Sequence, residues 1–182
     1  MSDSPWQNEL SPVLRTMQIV AGALVAGCLT FLVVVLVVSD RVGAAGQLPV
    51  ITYVAIGFAC VALVVRMIVP GIVVAQGRRR IAEGTWNLPA GRGFQPPLNS
   101  EFIERTGDAG KLAMLFMTRM IIAAALLEGA AFCSMVAYMV EQSPMALIVA
   151  GVMIIGVALH FPTRSRLIHW IEDQLTLIEQ ER

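Results

Sequence analysis

The sequence predicts an all-α membrane protein, a four-helix bundle with a C-terminal amphipathic helix, on three observations. Of its 182 residues 57% are hydrophobic and only 14% charged, where a soluble domain carries about a quarter. The charge is unevenly spread, with long uncharged blocks alternating with short charged ones, as in a chain that crosses a bilayer repeatedly. The basic residues beside those blocks fall almost entirely on one side, which gives the crossings a direction.

The first apolar segment covers residues 13–38. The uncharged run that overlaps it, from Thr16 to Ser39, is 24 residues long, longer than a signal-peptide core. The preceding MSDSPWQNEL carries acids where a secretory signal carries bases, so the segment is expected to be retained as a crossing. Asp40, Arg41 and small residues as far as Gln47 make a short loop. The second helix is expected at 49–75, interrupted by Arg66 and by Pro70-Gly71, which predict a kink. A hydrophilic loop then occupies 78–111, broken by Pro89, Pro96 and Pro97. The third helix is expected at 112–140, and the turn Glu141-Gln142-Ser143-Pro144 leads into a fourth at 144–162. Each of the four has about the 20 residues needed to cross about 30 Å of hydrocarbon.

Beyond Pro162, Thr163 offers a cap for a helix over 164–180. Leu167, Ile171, Leu175 and Ile178 recur every three or four residues against a polar face of Arg164, Arg166, His169, Glu172, Asp173 and Glu179. Two placements are open. The helix lies in the membrane interface with Trp170 at headgroup level, which is the expectation, or it folds against the 78–111 loop.

Ten basic residues (Arg15, Arg78, Arg79, Arg80, Arg92, Arg105, Lys111, Arg164, Arg166 and Arg182) lie on one side of the crossings, and Arg41 on the other. This places both termini and the long loop in the cytoplasm of a bacterial-type inner membrane. Arg78, Arg79 and Arg80 are expected to set topology and, with Trp170, to contact lipid headgroups. Thirteen basic residues balance thirteen acidic ones, which argues against a nucleic-acid partner, since that would need a basic face. Cys28, Cys60 and Cys133 all fall in apolar segments without metal-ligand spacing and are expected to pack as small apolar groups. No catalytic triad, phosphate loop or paired carboxylate occurs, so neither enzyme activity nor a cofactor or metal is expected.

The chemistry open to such a chain lies in its intramembrane charges: Arg66, Arg119 and Glu128, with His160 near a segment end. A charge at mid-bilayer costs at least about 2.5–3.5 kcal/mol and requires a partner or water. Side chains lean toward the N-terminus of their own helix. Arg66 on an inward-running helix and Glu128 on an outward-running one therefore lean toward each other, and an Arg66–Glu128 ion pair is expected. Arg119 leans to the cytoplasm and can snorkel to the headgroups. Pro70 would release the carbonyl of Arg66, adding an acceptor to that polar turn.

VPGIVVAQGRRRIAEG (69–84) resembles the end of the first helix of ATP-synthase subunit c, through Pro70-Gly71 and Glu83-Gly84, and ALLEGAAFCSMVAYMV (125–140) resembles its second. The resemblance to this family and the related V-type proteolipids spans about seventy residues. It implies that Glu128 matches the carboxylate that binds the transported proton or sodium ion. The chain departs from the pattern in its long loop, its two additional helices, Arg66, and the absence of the family's repeated helix glycines. Two functions follow as expectations: a structural or accessory component of a membrane assembly, homo-oligomeric or bound to a membrane partner and in contact with lipids; or a proton- or cation-translocating subunit using Glu128.

Overall fold

In a computed structural model of the chain, residues 5–39, 49–86 and 98–181 are described. Among them every regular element is helical: α1 (Pro5–Glu9), α2 (Ser11–Ser39), α3 (Val50–Ala82), α4 (Leu98–Thr106), α5 (Asp108–Glu141), α6 (Pro144–Ala158) and α7 (Arg164–Glu181). Asp40, Arg41, Gln47, Pro89, Arg92, Pro96, Pro97 and Arg182, on which parts of the loop and topology reading rest, lie outside the described residues.

Among the described residues three helices are long and apolar enough to cross a membrane: α2 with 29 residues, α3 with 33 and α5 with 34. At 1.5 Å per residue these span roughly 43–51 Å, well beyond the hydrocarbon thickness. Helix α3 continues past its expected end at residue 75 as far as Ala82, and α5 begins at Asp108 rather than 112. Both extensions cross into the stretch expected to be loop, which also contains α4. Helix α6 is shorter than expected, 15 residues ending at Ala158, about 22 Å long.

The chain divides into two compact units. One comprises 18–70 and 120–161 and holds the apolar middles of α2, α3 and α5 together with α6. Its core draws Cys28 and Val35 from α2, Ala59 and Ala62 from α3, Leu127, Ala131 and Met135 from α5, and Ala150, Met153 and Val157 from α6. Alanines dominate because helices in hydrocarbon gain little from burying bulk and much from close backbone approach. The outer surfaces of α2 and α3 are covered mainly by exposed Val, Ile, Leu and Phe, as lipid contact requires.

The other unit comprises the N-terminal residues through Met17, Gly71–Arg119 and Pro162–Arg182. It has a core of its own, in which Leu10, Met17, Ile81, Leu112, Leu167, Ile171 and Ile178 are at most 1% exposed. Helix α7 starts as its sequence predicts, with the Leu167 N–H donating to the Thr163 carbonyl. The apolar face of α7, however, does not lie on lipid. Leu167, Ile171 and Ile178 are buried in protein, and Trp170 packs at 5.2 Å between ring centroids on Phe116 at the start of α5. The arrangement favours a folded-back helix over the expected interfacial one, with α5 as well as the 78–111 region contributing to its cover: the stripe that suits a bilayer surface equally suits an apolar helix extension. Gly77 permits the close approach of α3 and α5 in this unit, since a Cβ there would stand 2.6 Å from Cδ1 of Leu115.

Candidate functional site

Helical phase decides which intramembrane charges meet. On α5, Glu128 and Phe132 are one turn apart and share a face. On α2, Gly27 and Phe31 are likewise one turn apart. The two faces meet: Phe31 and Phe132 pack edge to face at 5.0 Å, and a Cβ on Gly27 would lie 4.0 Å from Oε1 of Glu128. Glu128 thus looks at α2, beside buried Cys28. The expected Arg66–Glu128 ion pair does not form. The lean of each side chain along its helix brought the two groups toward each other, but lean does not specify direction around the axis, and Glu128 is turned toward the neighbour that does not carry Arg66. Among the described residues Glu128 has neither an ion-pair nor a hydrogen-bond partner.

Arg66 finds a different partner at the end of α6. Its Nη2 lies 2.6 Å from Nε2 of His160, whose Nδ1 lies 2.6 Å from the carbonyl oxygen of Gly156. The arrangement follows from how α6 terminates. The His160 N–H bonds to the Val157 carbonyl, three residues back, and the Phe161 N–H to that of Ala158. This tightened last turn leaves the Gly156 carbonyl without its usual backbone donor. The imidazole takes that place. A carbonyl only accepts and a guanidinium only donates, so Nδ1 carries the proton and Nε2 accepts from Arg66. His160 is therefore neutral in this arrangement, and it steers the guanidinium without cancelling its charge. A His sixteen residues into an apolar segment was visible in the sequence, but its partnership depended on where α6 stopped.

Two further residues outside the sequence-derived site hold the opposite end of this unit. Helix α3 begins behind Pro49, which has no side-chain acceptor for a cap. Glu141, the last residue of α5, substitutes: Oε1 accepts from the Ile51 N–H at 2.6 Å, and Oε2 from the Thr52 N–H and hydroxyl at 2.8 and 2.7 Å. These are the N–H groups that a Ser or Asp cap would serve, and a carboxylate also complements the positive end of the helix dipole. Gln142 adopts a left-handed backbone (φ 51°) and donates from Nε2 to the Ser39 carbonyl, the last of α2. The α5–α6 turn therefore satisfies a helix beginning and a helix end at once. Glu141→Ala should lower thermal stability in detergent more than Glu141→Gln, because Gln keeps one acceptor. Equal stability of the wild type and Glu141→Ala would show that the cap contributes nothing.

The remaining candidates fall in the other unit, except Pro70, which ends the 18–70 segment of the first. Helix α3 runs unbroken through Pro70-Gly71, where the chain passes from one unit to the other. Arg78 is not a free lipid contact, since its Nη2 bonds Glu181 at 2.7 Å and its Nη1 reaches Gln174 at 3.4 Å, tying α3 to α7. Arg79 pairs with Glu83 one turn on at 3.0 Å, and Arg80 and Arg119 are exposed. No group of His, Cys, Asp or Glu among the described residues has the geometry of a metal site. Compared with protein-family models, curated proteins and solved structures, the chain matches none.

Proposed function

We propose that the protein is a multi-pass helix-bundle component of a bacterial-type inner membrane, structural or accessory to a larger membrane assembly. In this reading α2, α3, α5 and α6 make four crossings, with both termini and the 78–111 region in the cytoplasm. Helix α6 completes the fourth crossing with the turn that follows it, through His160. The observation that carries the reading is the contrast in cover between the long helices: half of the apolar window of α5 is buried in protein, against 17% in α2 and 22% in α3. Helix α2 moreover exposes Gly22, Ala23, Ala26 and Gly27, a surface of small residues at which another helix backbone can approach closely. A homo-oligomer joined through α2 accounts for that surface. The test is disulfide crosslinking in native membranes of Ala26→Cys, in a chain whose own three cysteines are replaced by Ala. A crosslinked dimer is expected, and none at the lipid-facing Val61→Cys. Equal crosslinking at both positions, or at neither, would contradict association through α2.

A second reading is favoured by one observation, that Glu128 in an apolar helix has no ion-pair or hydrogen-bond partner among the described residues. A carboxylate so placed is stable when it holds a proton or cation, which agrees with the proteolipid resemblance. Labelling of Glu128 by dicyclohexylcarbodiimide that fades as pH rises would favour this reading, and inertness at every pH would remove it.

A further inference from the structure

Among the described residues Arg66 has no counter-charge. Guanidinium groups stay protonated in proteins, its partner His160 is neutral, and among the described residues no carboxylate pairs with it. Its level in the unit follows from the capped rim. Ile51 is bonded to Glu141, and α6 starts three residues later at Pro144. Arg66 lies fifteen residues beyond Ile51 and His160 sixteen beyond Pro144, so both stand roughly 22–24 Å from that rim. Against about 30 Å of hydrocarbon, that leaves roughly 6–8 Å to the far-leaflet headgroups, about the length of an arginine side chain. The surroundings are amphiphilic. Leu63 and Met67 beside Arg66, and Leu159 and Phe161 beside His160, are exposed, Met67 at 84% and Leu159 at 71%.

We infer that Arg66, oriented by His160 at the end of α6, is a binding site for the phosphate of an anionic phospholipid whose acyl chains run along Leu63, Met67, Leu159 and Phe161. The charge calls for an anion, the guanidinium fork suits phosphate oxygens, and the exposed apolar flanks suit an acyl chain rather than a free ion. His160 acts as a positioning residue by holding Nη2 and leaving the other donors of the fork for the ligand. The inference rests on the reading that these helices span a bilayer, which is tested separately by topology.

The experiment uses the full chain in mild detergent with three probes: phosphatidylglycerol, phosphatidylcholine and inorganic phosphate. Melting temperature and lipid retention in native mass spectrometry are the readouts. Phosphatidylglycerol is expected to raise the melting temperature and to be retained in preference to phosphatidylcholine, with no effect of inorganic phosphate. Arg66→Gln should abolish the preference, Arg66→Lys keep part of it, His160→Phe weaken it, and Arg80→Gln leave it intact. If Arg66→Gln does not fold, the wild-type preference and the His160→Phe and Arg80→Gln comparison still decide. A preference retained in Arg66→Gln, or lost in Arg80→Gln, overturns the site. Stabilisation by inorganic phosphate alone would make it a free-anion site and overturn the lipid assignment. No lipid preference, together with an oligomer that both Arg66→Gln and Glu128→Gln dissociate, would make the counter-ion Glu128 of a second copy and also overturn it.

Discussion

Arg66→Gln and His160→Ala will be coupled, whereas Arg66→Gln and Glu128→Gln will be additive. The first pair shares a hydrogen bond to a charged group, and such bonds contribute about 1.5–3 kcal/mol. Either single substitution removes it, so the double variant should lose less than the sum of the two, by about 0.5–3 kcal/mol of interaction energy. Arg66 and Glu128 share no partner, and their effects should add within about 0.5 kcal/mol. Unfolding in mixed detergent, followed by circular dichroism, reads both cycles. Rescue of Arg66→Gln by Glu128→Gln would restore the ion pair that the side-chain directions suggested and would contradict the packing of α5 on α2.

Ile171→Ala will destabilise the protein strongly and His169→Ala will not. Ile171 is wholly buried on α7, and truncating a buried isoleucine to alanine costs about 2–5 kcal/mol through lost transfer energy and the cavity left behind. His169 is exposed on the same helix, and substitutions at such positions stay within about 0.5 kcal/mol. Hydrogen exchange of the α7 amides should show the same split. Trp170, packed against Phe116 with the rings tilted by 58°, should give fluorescence insensitive to quenchers carried on lipid chains. A neutral Ile171→Ala with strongly quenched Trp170 would return α7 to the membrane surface.

The helical class and the three long apolar segments were legible because membrane crossing imposes a length and a composition that no other environment requires. The ends of the helices were less so. Arg78, Arg79 and Arg80 read as the start of a loop, yet they continue α3, because Arg78 has Glu181 and Gln174 to meet on α7. The short α4 lay in a region whose prolines suggested loop throughout. The periodicity of α7 was evident, but an apolar stripe does not say whether lipid or protein covers it. The charged residues of the site were all visible, and their pairing was not. Depth along a helix can be counted from sequence, but the direction of a side chain around the axis depends on which neighbour packs where. That is why Arg66 meets His160, and Glu128 meets Gly27 and Cys28. Glu141 and Gln142 were read as a turn and nothing more, since their ligands, the Ile51 and Thr52 N–H groups and the Ser39 carbonyl, lie some ninety to a hundred residues away in sequence.

Whether the chain crosses the membrane four times turns on α6, which at 15 residues is shorter than α2, α3 and α5. Topology reporters fused after Gln47, Gly93, Gln142 and Arg182 test it directly. External signals are expected at Gln47 and Gln142 and cytoplasmic signals at Gly93 and Arg182. A reporter at Arg182 on the same side as one at Gln142 would show that α6 does not cross, and would contradict the four-crossing bundle.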